Sequence, residues 1–101
     1  MDARIDLIID NLKEVYDPEI PVNIYDLGLI YNIDVDGDNK ASIIMTLTAP
    51  GCPVADMLVE DTKQAALTVE GVEDAHVELT FEPPWDKSMM SEEARLELGF
   101  F

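Results

Sequence analysis

Apolar residues recur at two different periods along this chain, and the switches between them outline a fold. Ile5, Ile8, Leu12 and Val15 fall at helical spacing with Asp6, Asp10, Lys13 and Glu14 between them, which predicts an amphipathic first helix. Asp17-Pro18 is expected to end it, because proline pushes the residue before it out of the helical region. Glu19 to Asn23 then reads as a loop. From Leu29 the period drops to two. Leu29, Tyr31, Ile33 and Val35 alternate with Ile30, Asn32 and Asp34, the pattern of a strand with one buried face. Asp36-Gly37-Asp38-Asn39 has the composition of a hairpin turn, and Ala41, Ile43, Met45 and Leu47 form the inward side of a second strand. Thr46 and Thr48 fall on its polar side. Gly28 marks a bulge or a close backbone approach, or else only a flexible lead into the first strand.

A second helix is expected from Pro53 to about Glu70, stopped by Gly71. Val54, Met57, Leu58, Ala65 and Val69 can share one of its faces, with Asp61 and Thr62 weakening the stripe. Ala75, Val77, Leu79 and Phe81 alternate with His76, Glu78 and Thr80 in a third strand, and Pro83-Pro84-Trp85 stops it. Trp85 reads as an anchor for the C-terminal segment. Ser91 is placed to cap a short last helix, with Glu92 and Glu93 suited to its dipole and Gly99 closing it. Phe100-Phe101 are expected to pack on the domain or against a second subunit. Three strands with one apolar face need helices over that face. The expected architecture is therefore a two-layer α+β domain, residues 1–101, with a small mixed three-stranded sheet, two covering helices and an appended C-terminal helix.

Composition narrows the partners more than the fold. With 101 residues and 48% of them apolar, the chain can build one core. Its net charge of −16 argues against nucleic acid or an anionic membrane, both of which need a basic surface. The acidity fits a highly soluble or salt-adapted surface, or a docking face for a basic partner. Met1 to Asp6 lacks the basic start and apolar run of a signal peptide, and one cysteine allows no internal disulfide. A cytoplasmic, reducing location is expected.

The single cysteine, Cys52, lies in Thr48-Ala49-Pro50-Gly51-Cys52-Pro53, between the second strand and the second helix. With Pro53 as first helical residue, Cys52 is the N-cap, and the free amides and dipole there favour a thiolate. Asp56 and the acidic chain oppose that effect. A small buried hydrophobe is the competing reading. His76, the only histidine, falls on the polar side of the third strand and reads as solvated, so a Cys-His nucleophile pair is poorly supported. No second cysteine is present to resolve an oxidised thiol. One cysteine also leaves a metal ligand set incomplete. Asp17 and Glu19 would extend that set if their loop folds near Cys52, or they are simply a helix boundary and an exposed loop. A homodimer would bring a second thiolate across its axis. Thr48 is close enough in sequence to orient the cysteine turn through its hydroxyl.

Five separated motifs, in order, resemble the metal–sulfur cluster biosynthesis family of the MIP and PaaD type. They are Asp17-Pro18-Glu19, Asp26-Leu27-Gly28-Leu29-Ile30-Tyr31, Met45-Thr46-Leu47-Thr48, Gly51-Cys52-Pro53 and Pro84-Trp85; the run Met90 to Gly99 is similar as well. The resemblance implies an αββαβ domain like that of other iron–sulfur assembly scaffolds. It implies an auxiliary, non-catalytic role in maturing iron–sulfur proteins, with the assembly machinery and client apoproteins as partners. The family's cysteine falls on Cys52, its acidic loop on Asp17 and Glu19, and its threonine on Thr48. The cargo implied is iron or a cluster held transiently at Cys52, with no permanent cofactor. The alternative function is an adaptor for client proteins in which the cysteine is structural. The cysteine-rich C-terminal region of the ring-hydroxylase accessory members has no counterpart in this sequence, which points away from a dedicated oxygenase role.

Overall fold

The central strand organises the molecule because its alternation is the most complete. In the computed structural model, which describes residues 3–16, 22–47 and 55–99, the elements run α1 (Ala3–Leu12), β1 (Ile30–Val35), β2 (Lys40–Met45), α2 (Ala55–Leu67), β3 (Asp74–Leu79) and α3 (Glu92–Leu98). A single 3-10 turn, Lys87–Met89, precedes α3. The sheet order is β1-β2-β3, antiparallel between β1 and β2 and parallel between β2 and β3. A parallel pair requires a crossover, and α2 is that crossover. The expected small mixed sheet and α+β class are what the structure has.

Ala41, Ile43 and Met45 of β2 are buried, while Ser42 between them is exposed. Cross-strand partners share a face, so Val35, Ile33 and Ile30, opposite Ala41, Ile43 and Met45, point to the same core. The expected phase holds at Leu29, Ile33 and Val35 and is corrected at Tyr31 alone. A register shift between Ile30 and Asn32 leaves Tyr31 as an extra residue, and Ile30 takes the inward place assigned to it. On the opposite face Asn32, Asp34, Ser42, His76 and Glu78 are exposed. His76 is thus the solvated strand histidine its alternation predicted.

α1 and α2 pack on one another and on the inward face of the sheet. They run in opposite directions. Arg4, at the start of α1, donates to the Gly71 carbonyl beyond the end of α2 (2.9 Å), whereas the Asn11 amide reaches the Ala65 carbonyl (3.0 Å). Ile8 and Leu12 fill the core side of α1. The helix ends at Leu12, short of the expected Asp17-Pro18 stop, and Val15 continues the apolar stripe from beyond it.

On α2 the buried stripe is Leu58, Thr62 and Ala66, followed by Val69 in the turn after the helix. Met57, expected inside, is exposed. Thr62, expected to weaken the stripe, belongs to it: its hydroxyl donates to the Leu58 carbonyl one turn back (2.7 Å), which satisfies the polar atom and leaves the methyl to pack. α2 ends at Leu67, and the turn up to Gly71 (φ +92°) closes it. Pro53 and Val54 lie outside the described residues. β3 ends at Leu79, so Phe81, expected on its inward side, lies beyond the strand and is exposed.

At the C-terminal end the sequence reading holds in detail. The Ser91 hydroxyl accepts from the Ala94 amide (3.1 Å), and Gly99 at φ +78° terminates α3. Phe100 and Phe101 lie outside the described residues.

Candidate functional site

Asp17, Glu19, Thr48 and Cys52 all lie outside the described residues, as does the N-cap role expected of Cys52. What the structure describes is the frame from which their two segments depart. Segment 48–54 connects the C-terminal end of β2 to the N-terminal end of α2. Segment 17–21 leaves from Tyr16. Tyr16 stands at the exit of β2 through a run of backbone bonds: the Ile24 amide donates to the Val15 carbonyl, the Leu29 amide to the Ile24 carbonyl, and the Thr46 amide to the Leu29 carbonyl. Both segments therefore depart from one end of the molecule, where the parallel strands β2 and β3 finish and α2 begins. Open sheets with parallel strands place their ligands at that end, and a helix start carries unpaired amides.

The floor of this end is tied together by backbone contacts. The Thr46 amide donates to the Leu29 carbonyl (2.8 Å), which fixes the exit of β2 against the lead into β1, and the Thr80 amide donates to the Met45 carbonyl (2.9 Å). Thr46 is fully buried, which corrects its expected place on a polar strand face; β2 has ended by then, and the alternation no longer governs. Trp85 anchors the C-terminal segment as expected. Its indole N–H donates to the Leu27 carbonyl (2.7 Å). The Ser91 amide donates to the Asp26 carbonyl (2.8 Å), so a strap from Trp85 to Ser91 lies along residues 26–28. Gly28 sits beneath it with φ +81°, and an added Cβ would overlap the Met89 backbone. Of the readings open for Gly28, the close backbone approach is the one realised, and the bulge follows at Tyr31. The Tyr31 hydroxyl donates to the Pro83 carbonyl (2.7 Å).

The rim is different in chemistry. Tyr16 pairs with Asn23 in an isolated antiparallel bridge, and the Ile24 amide donates to the Val15 carbonyl (2.8 Å). Segment 17–21 therefore leaves and returns at closely held ends. Tyr16 is 50% exposed and Met57, in the first turn of α2, is 45% exposed. The sequence reading overlooked Tyr16. Its signal was phase: it follows Val15 directly, and so falls off the Ile8-Leu12-Val15 stripe. Among the described residues, no three His, Cys, Asp or Glu side chains are grouped to hold a metal ion. His76 is on the outer sheet face opposite Ser42, in mid-strand rather than at this end.

A frame of this shape, with a β-hairpin, a parallel crossover and a strapped C-terminal helix, has close structural counterparts. The family model described as iron-sulfur cluster assembly protein matches residues 5–79, and the chain belongs to that family. It is 59% identical over 93 residues to a protein of Porphyromonas gingivalis named Fe-S protein maturation auxiliary factor, covering 92% of this chain and 89% of that one. It is 36% identical to the Fe-S protein maturation auxiliary factor SufT of Staphylococcus aureus, over 84% of this chain and 97% of the other. Among solved structures, a DUF59 domain from Bacillus anthracis superposes with a TM-score of 0.91 at 40% identity, covering 98% of this chain and 94% of that chain. No helix among the described residues is long and apolar enough to cross a membrane.

Proposed function

We propose that this protein is a non-catalytic auxiliary factor in iron–sulfur protein maturation, with Cys52 as an exchangeable contact to iron, a cluster or a client. The observation that carries the reading is the common departure of segments 17–21 and 48–54 from one end of the fold. That arrangement allows Asp17 and Glu19 to supplement a thiolate from Cys52, with Thr48 orienting the turn. The names of its relatives as maturation factors support the same role. Iron or a cluster is cargo on this reading. Binding it as thiolate releases the thiol proton to solvent, and the missing ligands come from a second protein, whether assembly machinery, client or another copy of this chain. Partial ligation suits transfer, since a complete four-ligand site would retain what it holds.

Anaerobic reconstitution with ferrous iron and sulfide tests this directly. Wild type is expected to take up iron with the visible absorption of thiolate-bound iron, and Cys52→Ala to lose most of both. Equal iron content and identical spectra would rule out direct contact and leave the adaptor reading, in which the cysteine is structural. That second reading is favoured by the exposed Tyr16 and Met57 at the same end, and it requires Cys52→Ser to support client maturation in cells.

A further inference from the structure

Between the end of α1 and the adjoining side of α2 runs an open groove of about 440 Å³. It is lined by Val15, Ala65 and Tyr16, by the carboxylates of Glu14 and Asp61, and by the polar side chains of Asn11, Gln64 and Thr68. A second hollow of about 280 Å³ shares Tyr16 and is lined by Asp26, Glu93 and Glu97. No lysine or arginine lines either one among the described residues. Lys13, the nearest cation in sequence, is turned to the ring of Tyr25 (5.5 Å to its centroid).

Scattered exposed apolar residues are ordinary, so Tyr16 or Met57 alone would carry nothing. Their arrangement does more. Met57, Asp61 and Ala65 follow at i, i+4 and i+8 on α2, so the helix face that lines the groove runs on from Ala65 past the Asp61 carboxylate to the exposed Met57. A half-exposed tyrosine stands where the two acidic hollows meet. Apolar side chains interleaved with carboxylates, and an exposed aromatic ring at their centre, together fit one kind of occupant. We propose that this groove docks a basic amphipathic helix of a partner protein. Its leucine-like side chains lie on Val15, Ala65 and Met57, its lysines or arginines meet Glu14 and Asp61, and one cation rests on the face of Tyr16. The surface stands on its own geometry and does not depend on what Cys52 binds.

The test is an amide NMR titration of the full chain with a synthetic lysine–leucine amphipathic helical peptide, and with the same peptide carrying glutamate for lysine. Shifts are expected to concentrate on Tyr16, Asp61, Gln64 and Thr68, and only for the basic peptide. Glu14→Lys combined with Asp61→Lys should weaken binding roughly tenfold or more, since opposed charges across a docking surface become like charges. Tyr16→Ala should cost about two- to fivefold, the scale of one exposed cation–π contact. The control is Asp34→Lys combined with Glu78→Lys on the outer sheet face, which gives the same net charge and should leave affinity within about twofold, because screening confines these effects to the contact. All substituted charges are surface positions, and the spectrum of each variant reports its fold. Equal weakening by both double variants would reduce the effect to overall charge and overturn the proposal, as would shifts centred elsewhere.

Discussion

The two ends of the molecule are built from the same elements and finished in opposite ways. At the hairpin end, β2 and β3 begin, α1 starts and α2 finishes, and the polar groups close on one another. Arg4 donates to Asn39 Oδ1 (2.7 Å) as well as to Gly71, and the Asn39 amide group donates to Glu73 (3.2 Å). The Asp36 carboxylate accepts from the backbone of Asp38 and Lys40. At the other end the backbone is equally well tied, by Thr46 to Leu29 and Trp85 to Leu27, yet the rim exposes Tyr16, Met57 and carboxylates with no lining cation among the described residues. The contrast separates two demands on a small domain. One end spends its polar side chains on holding strands in register, and the other leaves side chains open above a fixed floor, as a site for exchange requires.

The sharpest way to break the comparison is at its glycines, one at each end. If the open end were as loosely built as its rim suggests, Gly28→Ala would be tolerated. The structure requires the opposite. A left-handed φ and overlap with the Met89 backbone together should cost about 2–4 kcal/mol, read as a lower urea midpoint. Gly37, in the hairpin turn, has nothing within 4 Å of an added Cβ, so Gly37→Ala should stay within about 0.5 kcal/mol. Equal costs at the two positions would refute the view of a clamped floor.

Which parts of this were legible in the sequence depends on how local their causes are. The hairpin, the alternation of β2 and the capped α3 follow from neighbouring residues, and Asp36-Gly37-Asp38-Asn39, Ala41-Ile43-Met45 and Ser91 with Gly99 carried them. Thr62 answers to a carbonyl one turn back, but the other misplaced residues of the frame answer to contacts further away in sequence. Tyr31 left the inward face because the lead into β1 is bent under Met89, some sixty residues on. Thr46 is buried because Leu29 claims its amide. Met57 is exposed because α1 meets that face of α2 only further along, at Ala65 and Thr68. Cys52, Asp17 and Glu19 were singled out from residue type and from a resemblance to a family that the family match supports, and they lie outside the described residues. That segments 17–21 and 48–54 depart from one end came from the backbone bonds linking Val15, Ile24, Leu29 and Thr46, which no local pattern encodes.

The strap offers a smaller effect that sharpens the same contrast. Trp85→Phe keeps a ring in place but removes the donor to the Leu27 carbonyl. Leaving that nearly buried acceptor without its partner should cost about 1–2 kcal/mol. If the strap holds the floor of the open end, amide exchange should accelerate at Thr46 and Gly28 before it does at Asn39 or Lys40. Uniform acceleration across both ends would mean that Trp85 contributes only to global stability.

The smallest effect belongs to the hairpin end and is read through pH. The backbone N–H of Lys40, and next that of Asp38, hold the Asp36 carboxyl below the usual carboxylate range. A carboxylate whose pKa is depressed by folding adds stability that is fully present above its unfolded pKa and is lost as pH falls through the folded value. Asp36→Asn removes that increment at every pH. The difference in urea midpoint between wild type and Asp36→Asn should therefore be constant near neutrality, begin to shrink as pH approaches about 4, and vanish below the folded pKa. Mutual repulsion among the many other carboxylates also falls in that range, but it is relieved in both proteins alike and cancels in the difference. A gap that widened on acidification would show that the charge of Asp36 opposes the turn, and that the hairpin end is closed by its neutral hydrogen bonds alone.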